Sequence, residues 1–259
     1  MSDRVALEQE NLAGLRYRPS VRELEKDSDK LGRFVNAWKA ILAKPKEDES
    51  SFHHIAGIHG LPAPISCLHN IHFFPWHRAY LLKLERALNK VDSSVAMPWW
   101  DFATALSRKE GLPKSFQSVA NGGKAVLAST NIVFDGDRET ERMPGTPSDL
   151  PRKSLVDEAM RQNNFRSFHD SYYSPIHNAI HGWLGGDALS TNWTAFDPAF
   201  WIFHCAHDRH WWLWQISPQG KDPPIPSRIL RGLDMTVEEV LDINKLGYEY
   251  ATTEISVEL

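Results

Sequence analysis

The chain has 259 residues, of which 42% are hydrophobic and 24% charged, with a formal net charge of -4 and a pI near 6.3. That is ordinary globular composition, long enough to bury a sizeable core. It excludes a basic nucleic-acid surface and a polybasic membrane patch. Two cysteines exclude a disulfide scaffold and a four-thiolate zinc site. No stretch approaches the roughly 20 apolar residues of a membrane span. The polar start MSDRVALEQE has no apolar segment of the signal-peptide kind, which points to a cytoplasmic or otherwise intracellular protein. No linker or repeat divides the sequence, so residues 1–259 are expected to form one domain.

In chain order, 29–42 (DKLGRFVNAWKAIL) predicts a helix. The next helix has Pro75 in its first turn and runs to about Asn89, with His77, Leu81, Leu84 and Leu88 on one stripe. The turn-rich stretch 108–150 reads as a long surface excursion. Residues 152–163 are helical, and 175–184 form a short helix opened by Pro175 and stopped by Gly185-Gly186. Residues 198–215 form a Trp-rich helix opened by Asp197-Pro198, an N-cap followed by a favourable first position. The Pro/Gly-rich segment 217–228 cannot be helical throughout. Strand signals are few and short, so the class is mainly α.

The twelve histidines fall into two groups, 53–77 and 169–210. His177 and His181 are four apart, so their rings lie about 40° apart on one helix face, and His204 adds a third imidazole from the next helix. Three imidazoles without convergent thiolates or carboxylates suit copper or zinc. In the first group His59 ends an apolar stretch, His69 follows Cys67 at one remove, and His77 joins the leucine stripe. Buried imidazoles need partners, and two triads around a metal pair would supply them. By spacing alone, His204 and His207 cannot be told apart as ligands, because both lie on one stripe.

The segments FPWHRAYLLKLERAL (74–88), MPWWDF (97–102), HNAIHGWLGG (177–186), FDPAFWIFHCAHDRHWWLW (196–214) and LGYEY (246–250) resemble those of the tyrosinase, catechol oxidase and polyphenol oxidase family of type-3 copper proteins. The resemblance implies a four-helix-bundle core holding two copper ions, with long loops and few short strands. It implies His59, His69 and His77 as ligands of the first copper and His177, His181 and His204 of the second, with dioxygen as co-substrate. The first site departs from the family in the interval between His69 and His77, which leaves His72 as the alternative to His69. Cys67-Leu68-His69 matches the family's Cys-x-His element, which implies a thioether between Cys67 and His69; the alternative is a buried reduced thiol.

The resemblance places Phe200 beneath the copper pair, Asp208 and Arg209 behind a ligand histidine, and Thr191 as a residue gating the second copper. His207 is expected to be a satisfied core or cleft histidine, and His53, His54 and His210 structural or solvated. Asn178 matches the family's asparagine after the first ligand of the second site, but the glutamate that often accompanies it is absent: FRSFHDSYYSPIHN offers only Asp170, with His169 beside it, as a replacement base. The implied activity is therefore oxidation of small o-diphenols and o-aminophenols, with monophenol hydroxylation or a haemocyanin-like oxygen carrier as alternatives. A structural zinc bundle fits six imidazoles poorly. With about nine residues after LGYEY, no shielding segment is visible, which suggests constitutive activity or control by a separate copper chaperone or caddie protein. The tryptophans near the motifs imply a dry aromatic shell.

Overall fold

A computed structural model describes residues 14–61, 67, 69–117, 127–224 and 227–252. Helices dominate. α1 (Val21–Lys26) opens with a reciprocal cap, Glu23 N–H to Ser20 Oγ at 3.1 Å and Ser20 N–H to Glu23 Oε2 at 2.7 Å. α2 (Ser28–Leu42) is capped by Asp27 and buries Phe34, Ala37, Trp38 and Ile41, one stripe at helical spacing. α3 (Phe52–Gly60) is capped by Ser51 and ends in an extended residue, Leu61. α4 (Phe73–Asn89) is buried along almost its whole length, His77 and its leucine stripe included.

After the short α5 (Ser107–Glu110), α6 (Lys153–Met160) and α7 (Phe165–Tyr172), a six-residue π-helical turn, Tyr173–Asn178, leads into α8 (Ala179–Leu184). The helical run thus begins ten residues before the expected start at Pro175. The proline ring removes one backbone donor and crowds the preceding turn, and the widened turn absorbs both defects. α9 (Pro198–Gln215) starts where Asp197 Oδ1 accepts the Ala199 N–H at 2.7 Å, and Arg142 holds the same carboxylate from the other side at 2.5 and 2.6 Å.

Strands are two residues each. β1 (Arg16–Tyr17) pairs in parallel with β6 (Tyr248–Glu249), whereas β2 (Asn131–Ile132) pairs antiparallel with β3 (Arg138–Glu139) and β4 (Ile229–Leu230) antiparallel with β5 (Met235–Thr236). The stretch 108–150 is loop with short elements, as expected, though its portion 118–126 lies outside the described residues. No helix among the described residues is long and apolar enough to cross a membrane.

The core is aromatic. Trp76, Trp100, Trp201, Trp211 and Trp214 are fully buried, and Trp76 and Tyr80 flank His59 at 5.8 and 6.1 Å between ring centroids. α3, α4, the α7–α8 run and α9 surround this centre, and each carries at least one of the histidines singled out by sequence.

Behind it lies a buried charge cluster. Asp208 accepts from Arg78 Nε at 2.5 Å, Arg18 Nη1 at 3.1 Å, and the Tyr248 and Tyr250 hydroxyls at 2.7 and 2.8 Å. Arg18 also pairs with buried Glu85 at 2.8 Å. The expectation that Asp208 orients a ligand histidine is corrected: its acceptor sites are taken by arginines and tyrosines that tie both ends of the described chain to α4 and α9. Arg209 does the same with the Ala251 carbonyl at 2.9 Å, its guanidinium over the Trp99 ring.

Candidate metal centre

Two clusters of ligand-type atoms meet between these helices. His177, His181 and His204 form one, and His59, Cys67 and His77 the other, each with its donor atoms within 4.8 Å of one another. They adjoin: the rings of His77 and His204 stack at 4.5 Å, and Phe200 lies against both clusters, 3.9 Å from His204 and 5.1 Å from His59 between centroids.

Each ring is aimed by its second nitrogen. His59 Nδ1 donates to the Thr191 carbonyl at 2.8 Å, His77 to Phe73 O at 2.8 Å, His181 to Ala188 O at 2.7 Å and His204 to Phe200 O at 2.8 Å. His177 Nδ1 meets Asn178 Oδ1 at 2.9 Å. A carbonyl oxygen only accepts, so Nδ1 carries the proton and Nε2 is left with a bare lone pair. The carbonyls four residues back, Phe73 and Phe200, follow from helix geometry; those of Thr191 and Ala188 come from loops. Gly60 makes the Thr191 approach feasible, since a Cβ there would stand 2.4 Å from the Thr191 oxygen. Thr191, expected as a gate, thus acts on His59 through its backbone.

Burial keeps these rings neutral. It pushes His59 down to about 3 and His181 to about 4, and holds His77, His177 and His204 well below the ordinary histidine value, with neighbouring imidazoles adding to the effect. Neutral imidazole is the ligating form.

Two observations ask for a cation here. His177 Nε2 and His181 Nε2 face each other at 3.0 Å, and two bare lone pairs repel at that distance. His204 Nε2 is buried with no hydrogen-bond partner, a cost proteins avoid unless an ion or ligand meets the atom. The donor set fits a transition metal that favours imidazole.

The first cluster departs from expectation at one corner. Cys67 Sγ lies 3.6 Å from His77 Nε2, whereas His69 stands exposed at the edge with its ring 5.9 Å from that of His59. Cys67 and Cys205 form no disulfide, and both are buried. His72, the alternative to His69, turns its Nε2 to the Pro224 carbonyl at 3.3 Å. His53 is taken up by the Asn131 carbonyl at 3.0 Å.

His169 and Asp170 form a pair, Nδ1 to Oδ1 at 2.8 Å. The ring of Tyr173 stacks between His169 and His177, at 5.3 and 5.1 Å, so neither His169 nor Asp170 borders the second cluster directly. Sequence reasoning missed Tyr173 and Tyr172; the Tyr172 hydroxyl contacts Nδ1 of His207 and of His210. No spacing rule singles out these tyrosines, because the π-helical turn shifts the helix face beyond Tyr172.

The family's common central domain of tyrosinase matches residues 49–147 and 123–217, more than half of the chain. Hemocyanin 2 of Megathura crenulata is 32% identical over 230 residues, 80% of this chain but 6% of its own length. A tyrosinase of Streptomyces glaucescens is 31% identical over 175 residues, 57% of this chain and 64% of that protein. The chain therefore spans less than two thirds of these relatives. Among solved structures, a tyrosinase from Burkholderia thailandensis aligns with a TM-score of 0.74 at 23% identity, covering 92% of this chain and 74% of that one. A functional unit of octopus hemocyanin aligns at 0.73 and 22% identity, covering 90% and 67%. Those alignments establish the mainly helical fold. On the matched domain, with the two adjoining clusters it contains, the chain belongs to the tyrosinase family of type-3 copper proteins.

Proposed function

We propose that the protein is a copper oxidase that converts o-diphenols, and o-aminophenols of the same shape, to o-quinones or quinone imines. Two diphenols and one dioxygen give two quinones and two waters. The observation that carries this reading is the pair of adjoining clusters with neutral, inward-facing Nε2 atoms, bordered by exposed His69 and half-buried His181. Such an edge gives a small planar phenol a way to the centre.

In this reading His59, His77 and His69 hold one copper, and His177, His181 and His204 hold the other. The copper pair supplies dioxygen binding and the exchange of electrons. The chain's own residues do the rest. Backbone carbonyls and Asn178 keep each ring in the ligating tautomer. Phe200 and the buried tryptophans exclude water from the inner face, which strengthens every electrostatic interaction there.

Diphenols are favoured over monophenols because the Asn178 oxygen is occupied by the His177 ring N–H, and Asp170 is paired with His169. One observation supports hydroxylation as a second reading: His169 is buried, backed by a carboxylate, and its Nε2 has no partner, the arrangement of a positioned base. Relatedness to hemocyanins keeps an oxygen carrier as a third outcome.

The test is oxygen uptake by copper-loaded protein, with a catechol and its matching monophenol side by side. Uptake with the catechol alone supports the proposal. Uptake with both supports the second reading and directs attention to His169→Ala and Asp170→Asn. No uptake with either, at two coppers per chain, overturns the oxidase reading in favour of a carrier.

A further inference from the structure

Tyr172 lies between two imidazoles and two spaces. Its hydroxyl is 2.8 Å from His207 Nδ1 and 2.6 Å from His210 Nδ1. The residue is fully buried, packed on Phe74 and Phe168. On one side, the His207 ring lies 5.3 Å from His204 and 5.5 Å from His177, and its Nε2 is buried without a partner. On the other, His210 lines a cleft of about 780 Å³ whose wall also includes Trp99, Asp101, Met160 and Leu213. None of the proposed ligand histidines lines that cleft. A phenol has one proton: it donates to one ring nitrogen and accepts from the other. The two contacts accommodate a hydroxyl that donates to His210 Nδ1 and accepts from His207 Nδ1–H.

We propose that Tyr172 is a redox-active side chain that carries single electrons from this cleft to the histidine centre. The inference rests on the copper reading above. The oxidant is a peroxide reaching the copper pair when no phenol is there. In each passage Tyr172 loses one electron toward the centre, and its O–H proton moves along the existing hydrogen bond to His210 Nδ1. A phenol that has lost an electron is a strong acid, so even a buried imidazole takes that proton. The neutral tyrosyl radical is refilled by one electron from a catechol in the cleft, and the proton returns from His210. Two passages, with two protons from solvent, reduce one peroxide to two waters. The catechol loses two electrons and two protons and becomes a quinone. A tyrosine serving packing alone needs neither imidazole, and Phe would fill its space.

The experiment treats copper-loaded protein with hydrogen peroxide in the absence of phenol, freezes it rapidly, and records the electron paramagnetic resonance spectrum. Copper content is measured on the same samples. A tyrosyl signal is expected in the unmodified protein, with its hyperfine pattern collapsing when the tyrosines are ring-deuterated. It disappears in Tyr172→Phe, persists in Tyr173→Phe, and weakens in His210→Phe, all at unchanged copper content. A signal of equal yield in Tyr172→Phe, or none in the unmodified protein holding two coppers, overturns the inference alone. Failure to take up copper overturns the underlying metal reading and this inference with it.

Discussion

His177 and His181 point Nε2 at Nε2 across 3.0 Å, with desolvation holding both rings neutral. One lone pair facing another is an arrangement that a cation relieves. Replacing His181 with Phe therefore removes one copper per chain, with the other retained. Metal analysis of the purified variant checks this, and two coppers retained would exclude His181 as a ligand.

The third corner of the first cluster separates two ligand sets. Cys67 Sγ is near His77, but burial raises its thiol well above the ordinary value, so the sulfur is held protonated and is a poor ligand. His69→Ala is expected to lose the first copper, and Cys67→Ala to keep it. The opposite pattern of copper contents would assign the sulfur as the ligand.

Gly60 tests the orientation of a ligand from behind. Ala there drives a methyl into the Thr191 carbonyl that receives the His59 ring proton. Loss of such an outer contact typically costs roughly 10–100-fold in metal affinity. Copper competition against a chelator should show a drop of that size for one of the two ions.

The metal-free protein is expected to lose stability on acidification. The unfolded chain titrates its histidines near their ordinary value of 6.5, whereas the folded chain holds His59 near 3 and His181 near 4. Between those values the unfolded state binds more protons, so stability falls as pH drops below 6.5 and levels off only near the folded values. The melting temperature of metal-free protein should decline steadily from pH 7 to pH 5. A flat profile would mean that these rings are not buried neutral.

Asp208→Ala leaves the guanidinium groups of Arg18 and Arg78 short of a counter-charge in the core. Breaking a buried pair of this kind costs about 3–5 kcal/mol. Denaturant unfolding should register that loss, while folded protein still binds two coppers, because Asp208 touches none of the ligand rings.

Much of this was legible in the residues. The leucine stripe behind His77, the Asp197-Pro198 start of α9 and the four-residue step from His177 to His181 are local patterns, and the structure keeps each of them. α3 and α7 were not legible as helices. α3 carries two glycines and three histidines in a run of nine residues, and α7 mixes aromatics with polar residues over only two turns. In both, burial against other helices stabilises what propensity alone leaves undecided.

Spacing and composition along the chain already set which residue types meet: imidazoles at helical spacing, an apolar and aromatic surround, and no carboxylate next to His177. Those follow from period and composition, which are properties of neighbours along the chain. The packing of helices and loops decided that Cys67 Sγ lies close to His77 while His69 stands at the exposed edge, that the Thr191 and Ala188 carbonyls aim two of the rings, and that Asp208 braces the two ends of the described chain. It also decided that Tyr172 lies between His207 and His210. Each of these joins residues through loops with no period of their own, so their partners are fixed by packing and by the need to satisfy buried polar atoms, which no local pattern records.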